Sequence, residues 1–214
     1  MKITLENTGR RYNKEWIFRN VNHVFNANDH VAVLGSNGSG KSTFLQLVSG
    51  FLIPSEGKIN YEDSSGKSIE SIYKRITFAS PALELFEDLT LNEIIRFHFQ
   101  LKKPLPDFSF ESFSEKLQLK GNENKQIKYF SSGMKQRVKL GLAILTETPV
   151  LFLDEPTSNL DRNGIEWYRQ LMMENKDGRI IFVASNKVED DYFFCHQTFE
   201  IEKFKPSFSA GMKF

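Results

Sequence analysis

The chain has one cysteine, Cys195, in 214 residues. A single thiol cannot close an internal disulfide, so the fold must be held by its core, and the composition fits a reducing compartment. An excess of one charge is missing too. The 28 basic residues are set against 27 acidic ones, a formal net charge of +1, which gives no global field for nucleic acid. No apolar run exceeds strand length, so no segment is expected to span a membrane. The opening MKITLENTGR lacks an apolar secretory core, so no signal peptide is expected. There is no internal repeat and no low-complexity stretch. The length suits one compact domain with enough interior to need no staples. The chain is rich in phenylalanine, at 20 residues, and burial preference assigns these to a core.

Periodicity alternates between two kinds of element. KITLE (2–6) and NVNHVF (20–25) alternate as strands do, with a polar turn region between them. HVAVLG is a short apolar run ending at Gly35, and a helix from about 41 to 50 follows, closed by Gly50 and Pro54. KIN and RITFAS read as further strands. After Pro81 the pattern turns helical. Thr90-Leu91-Asn92-Glu93 fits a capping box, with Leu91, Ile94, Ile95 and His98 on one face. KKPLPD breaks this, and a helical pattern resumes to about Leu119. Val138, Leu142 and Leu145 mark another helix. Strands return with VLFLDE, then a helix over about 161–175 and the strand RIIFVAS. The class is α/β, with a core of about 1–80 and 149–214 and a mostly helical insertion at about 81–148.

Residues 35–43, GSNGSGKST, match G-x-x-x-x-G-K-[ST] in full, between a strand and a helix. Gly35, Gly38 and Gly40 let the backbone turn its N–H groups inward around phosphate oxygens. Lys41 can reach the β- and γ-phosphates, and Ser42 can place its hydroxyl on Mg²⁺. Thr43 falls in the first helical turn, at the positive end of the dipole. Ser36, Asn37 and Ser39 complete the set of candidate ATP contacts. VLFLDE ends in two carboxylates. Adjacent strand residues point to opposite sides, so Asp154 is expected to hold Mg²⁺ and Glu155 to orient the attacking water.

FSSGMKQRVKLGLAIL, residues 130–145, has small polar residues and a glycine before a basic, apolar-striped helix. It reads as a second anion-holding helix start. With it in view, the chain resembles the ATP-binding cassette (ABC) family, as a free-standing nucleotide-binding subunit of a transporter. The glycine loop, SSG at 131–133, VLFLDE at 150–155 and PTSNLD at 156–161 come in the family's order and approximate spacing. The resemblance implies a P-loop NTPase (RecA-like) core with a small N-terminal antiparallel β part and an inserted helical subdomain. It implies head-to-tail pairing, in which Ser131, Ser132 and Gly133 serve the γ-phosphate of a neighbour's ATP and Asp161 lies at the shared interface. It implies an aromatic stacking on adenine, at Tyr12 with Trp16 as rival.

Three positions depart from the family pattern. The signature reads FSSGM where LSGGQ is usual. The usual Mg²⁺-facing glutamine falls on Pro81, with Ser80 or Glu84 as possible substitutes. The usual γ-phosphate histidine falls on Asn186, which can donate a hydrogen bond but carries no charge. The intact Glu155 favours a working ATPase over a poorly hydrolysing one.

The resemblance thus implies an ATP- and Mg²⁺-dependent ATPase that works as a homodimer, cytoplasmic and peripheral on the inner face of the cell membrane. Its partners would be transmembrane permease subunits on separate chains, of exporter type by analogy. The rivals are a soluble ABC-type ATPase remodelling a cytosolic partner, and a P-loop kinase. Phe108, Phe110 and Phe113 are expected to be core, or alternatively a groove for a short helix of the membrane subunit. His98 and His196 lack metal-ligand spacing. The acidic run Val188-Glu189-Asp190-Asp191 reads as a solvated helix start.

Overall fold

A computed structural model describes residues 1–106 and 108–206. Residues 207–214, the end of the KFKPSFSAGMKF tail, lie outside the described residues.

Two sheets form the frame. β1 (Lys2–Tyr12), β2 (Glu15–Asn26) and β4 (Glu56–Glu62) make an antiparallel sheet in the order β2-β1-β4. β3 (His30–Leu34), β5 (Ile76–Ala79), β6 (Val150–Asp154), β7 (Ile180–Ser185) and β8 (Gln197–Glu200) make a second sheet in the order β5-β6-β7-β3-β8. Every pairing in it is parallel. β3, β6 and β7 are buried along their whole length, as strands covered on both faces must be.

Side-chain alternation sorts the core. Leu151 and Leu153 of β6 and Ile181 and Val183 of β7 pack with the helices α4 (Ser132–Ile144) and α5 (Arg162–Asn175). Val150, Phe152, Ile180 and Phe182 turn to the other face, with Phe44 and Leu45 of α1 (Lys41–Val48) and Phe18 and Phe25 of the antiparallel sheet. Phe152 stacks on Phe182 at 5.1 Å between ring centroids, and Phe25 meets Phe182 edge-on at 4.7 Å. Each such pair adds about 0.5–1.5 kcal/mol beyond the area it buries.

Residues 81–148 carry α2 (Leu91–Leu101), α3 (Phe110–Lys116), a 3₁₀ turn at Ile127–Tyr129 and α4. The capping box at Thr90 and Glu93 is formed in both directions. α4 does not stand apart from the sheet: Thr77 of β5 donates its hydroxyl to the Ala143 carbonyl at 3.0 Å.

Two expectations need correction. The N-terminal strands are far longer than their alternation shows, and the polar region between them is strand up to a two-residue turn at Asn13–Lys14. Register shifts after Leu5, Thr8 and Arg10 interrupt the two-residue period. Asn7 and Asn20 take positive φ at 48° and 57°, and the Asn22 side chain accepts from the Asn7 N–H at 2.8 Å. Bulges of this kind flip the facing of every residue beyond them. The acidic run is not a solvated helix start throughout. It forms α6 (Glu189–Tyr192), and Asp191 is only 2% exposed.

Candidate functional site

Parallel pairing brings four strand ends to one edge of the sheet. Ala79 is level with Leu153, Asp154 with Ala184, and Ser185 with Leu34. The residues that follow, Ser80, Glu155, Asn186 and Gly35, therefore emerge side by side. In open parallel sheets this carboxyl edge is where ligands sit.

The glycine loop leaves β3 here and opens α1. Gly40 is the N-cap of α1 at φ 107°, and a Cβ there would run into Ile17. Gly38 is at φ 73°, with open space where its side chain would be. No side chain caps α1, so its first N–H groups remain available to an anion. Lys41 is buried, and its ammonium donates to the carbonyls of Gly35 at 3.0 Å and Ser36 at 3.1 Å and to Oδ1 of Asn186. Among the described residues the buried Ser39 hydroxyl has no partner.

Asp154 ends β6, 7% exposed. Burial pushes its carboxyl up from the usual range. Hydrogen bonds from the Ser42 and Ser80 hydroxyls and the charge of Lys41 oppose this, while the neighbouring Glu155 adds to it. Two hydroxyls and a carboxylate thus converge, a hard-oxygen set of the kind Mg²⁺ takes. Ser80, rather than Pro81, presents the side chain here. The Pro81 carbonyl accepts from Lys139 at 3.0 Å.

Glu155 differs from Asp154 for another reason than strand alternation. It lies past the strand at φ 45°, its N–H bonded to the Ala184 carbonyl at 2.9 Å. This turn carries its carboxylate to Asn186, whose Nδ2 donates to Oε1 at 2.7 Å. Lys41, Asn186 and Glu155 therefore form one hydrogen-bonded chain.

The signature residues sit elsewhere. Ser131 caps α4, its hydroxyl accepting from the Met134 N–H at 3.2 Å. Ser131, Ser132, Gly133, Asn159 and Asp161 share a cavity of about 550 Å³ with Arg137. Asp161 caps α5, accepting from the Gly164 N–H at 2.7 Å, and lies 3.8 Å from the Arg137 guanidinium. Among the described residues no hydrogen bond joins this cluster to the glycine loop. α4 is tied instead to the Glu155 turn: Gln136 donates to the Pro156 carbonyl at 2.9 Å, one residue past Glu155.

Tyr12 ends β1, 44% exposed, with the Arg10 guanidinium 4.7 Å from its ring centroid. Trp16 carries the guanidinium groups of Arg19 at 4.6 Å and Arg11 at 5.5 Å. Of the two rings, Tyr12 is the freer to stack.

Two features escaped the sequence reading. Glu202, in the 3₁₀ turn Ile201–Phe204, accepts from the Ser36 N–H at 3.0 Å and the Ser36 hydroxyl at 2.6 Å. These bonds hold its carboxyl below the usual range. The second is an apolar groove away from the 108–119 aromatics, which divide between core and surface. Phe113 is fully buried, Phe108 packs partly against the core and Phe110 is exposed. A groove of about 370 Å³ lies instead among Phe51, Tyr73, Phe78, Leu85, His98 and Lys139.

The model of the family described as "ABC transporter" matches residues 18–158. The chain is 30% identical over 179 residues to a spermidine/putrescine import ATP-binding protein, PotA, of Clostridium acetobutylicum, covering 82% of this chain but only 50% of that protein. It thus spans half the length of that relative. It is 26% identical to a cytochrome c biogenesis ATP-binding export protein, CcmA, of Haemophilus influenzae, over 87% of this chain and 89% of the relative. A solved structure, a putative ABC transporter ATP-binding protein from Pyrococcus furiosus, superposes with a TM-score of 0.79 at 19% identity, over 96% of this chain and all of that one. That likeness shows the fold.

Proposed function

The chain belongs to the ABC transporter family, in its ATP-binding ATPase part, and from that premise we propose that residues 1–214 act as one domain that hydrolyses ATP to drive a transporter whose channel is another polypeptide. The Lys41–Asn186–Glu155 chain carries this reading. It joins the phosphate loop to a carboxylate one residue past the strand end, which is what in-line attack on a γ-phosphate needs.

The loop residues 35–43 would take the phosphates. The Lys41 ammonium would exchange its two loop carbonyls for β- and γ-phosphate oxygens, and the orphaned Ser39 hydroxyl would gain a partner. Mg²⁺, which neutralises charge developing on the phosphates when bound, would be held by Ser42 and Asp154, with Ser80 in reach. Glu155 would polarise the attacking water, and Asn186 would hold that carboxylate while facing the γ-phosphate. Tyr12 would stack on adenine.

Ser131, Ser132 and Gly133 lie apart from the glycine loop of their own chain, so they would complete the site of a second copy, with Asp161 at the contact. A short helix of a permease subunit would seat in the Phe51–Leu85 groove. Its walls are largely apolar, with Glu84, His98, Lys102 and Lys139 among them. No helix among the described residues is long and apolar enough to cross a membrane. The chain would therefore work at the inner face of the cell membrane through that partner. We assign export by analogy on the SSGMKQR signature alone. One of the relatives above is named for import and the other for export.

The test is phosphate release from ATP by the purified protein, with Glu155→Gln alongside. Turnover should vanish in the variant, and ATP should then drive it into a stable dimer on a sizing column. A variant as active as wild type would remove Glu155 from its role. A phosphorylated small-molecule product in place of free phosphate would favour the kinase reading.

A further inference from the structure

Asp191 is a carboxylate buried in the fold, and among the described residues no cation is bonded to it. Its Oδ1 accepts from the Thr157 N–H at 3.0 Å and the Thr157 hydroxyl at 2.6 Å. Its Oδ2 accepts from the Ser185 hydroxyl at 2.6 Å. Its backbone carbonyl accepts from the Tyr168 hydroxyl at 2.8 Å. Burying an ionised group on neutral donors is costly, and an isolated structural need would be met more cheaply by an apolar side chain.

The placement of the donors gives the reason. Thr157 lies two residues after Glu155, and Ser185 immediately precedes Asn186. One carboxylate therefore grips both turns that carry the two ends of the Glu155–Asn186 hydrogen bond. The same Ser185 hydroxyl accepts from the Val188 N–H at 3.1 Å, which closes the turn around Asn186. We propose that Asp191 is a positioning residue for hydrolysis: it holds the Glu155 turn and the Asn186 turn at a fixed separation, so that the carboxylate meets the attacking water in line. This rests on the ATPase reading above. Asp191 would act only through the two turns it aligns.

A misplacement of about 1 Å can cost on the order of 100-fold in rate without loss of binding. The experiment compares wild type with Asp191→Ala, Asp191→Asn and Thr157→Val, in phosphate release and in binding of an ATP analogue with a non-hydrolysable β–γ bridge. Asp191→Ala should lower kcat about tenfold or more, with analogue affinity within about twofold of wild type. Asp191→Asn keeps an acceptor for Thr157 and should recover most of the rate. In an Asn186→Ala background the further loss from Asp191→Ala should shrink to about twofold, because the alignment no longer has a second end.

If Asp191→Ala lowers the melting temperature while kcat holds, or if its cost is undiminished beside Asn186→Ala, the inference is overturned. Thr157→Val keeps the carboxylate and removes one arm, so it decides the matter should Asp191→Ala not fold: unchanged kcat counts against the inference, a fall in kcat alone supports it. A wild-type protein that releases no phosphate would overturn the ATPase reading itself, and the inference with it.

Discussion

Asn186 donates through Nδ2 to Glu155 at 2.7 Å while its Oδ1 accepts from Lys41. The amide is suited to this double role, because it offers a donor to the carboxylate and an acceptor to the ammonium at once. A protonated imidazole would offer no acceptor. Asn186→Ala should lower kcat on the order of 100-fold, the usual cost of losing one well-placed donor, with the KM for ATP little changed. Steady-state phosphate release at saturating and limiting ATP separates the two. A variant that loses affinity and keeps kcat would place Asn186 in binding alone.

Tyr12 and Trp16 should part company when each is replaced by alanine. Tyr12→Ala should weaken ATP about tenfold, the order of one base–aromatic contact, and leave the melting temperature close to wild type. Trp16→Ala should lower stability, since its ring lies against Gly9 and under two guanidinium groups, and leave affinity unchanged. Equilibrium titration with a fluorescent ATP analogue, beside thermal melts, reads both. Reversed outcomes would move adenine to Trp16.

His98 gives the fold a pH dependence. Burial, with the neighbouring Lys102 charge adding to it, lowers its pKa from 6.5 to about 4, and its Nε2 lies 2.8 Å from the Thr146 hydroxyl. A depressed folded-state value means that the unfolded chain takes up the proton first. The stability this group contributes is present above about pH 6.5 and lost as the pH falls through that window toward 4. The loss is about 2–3 kcal/mol in all. Urea midpoints at pH 7.5 and 4.5 should show a steeper fall for wild type than for His98→Gln. Parallel falls would assign the acid sensitivity to other groups.

Arg179 should tolerate no shortening. It is buried on the sheet's helical side, and its guanidinium donates to the carbonyl of Ile144 at 2.7 Å and to that of Thr146, which together close the end of α4. Arg179→Ala leaves both acceptors buried, at about 1–3 kcal/mol each at most. Chemical denaturation should show about 2–4 kcal/mol lost. An unchanged midpoint would mean that water reaches those carbonyls.

What the sequence disclosed followed from how local each feature is. The glycine loop, the capping box at Thr90 and the Asp154-Glu155 pair are written in consecutive residues, and the fold and family followed from them. The bulged hairpin was hidden because its geometry depends on Asn7, Asn20 and Asn22, whose amides leave no mark on hydrophobic period. Glu202 and Asp191 were hidden because their partners lie far off in the chain, 166 and 34 residues away for Ser36 and Thr157. The cavity among Phe51, Tyr73, Phe78, Leu85, His98 and Lys139 was hidden for the same reason: its walls come from five separate segments.

The strand order has a consequence for the order in which the protein comes into being. β3, which delivers the glycine loop, has β7 and β8 as its only neighbours among the described residues, and both follow it by more than 140 residues. On the ribosome, residues 35–43 emerge early, yet the strand behind them stands without a sheet partner until residues beyond 180 appear. Glu202 can take hold of Ser36 only later still. Any truncated product stopping short of β7 would carry a complete phosphate-loop sequence and no phosphate site.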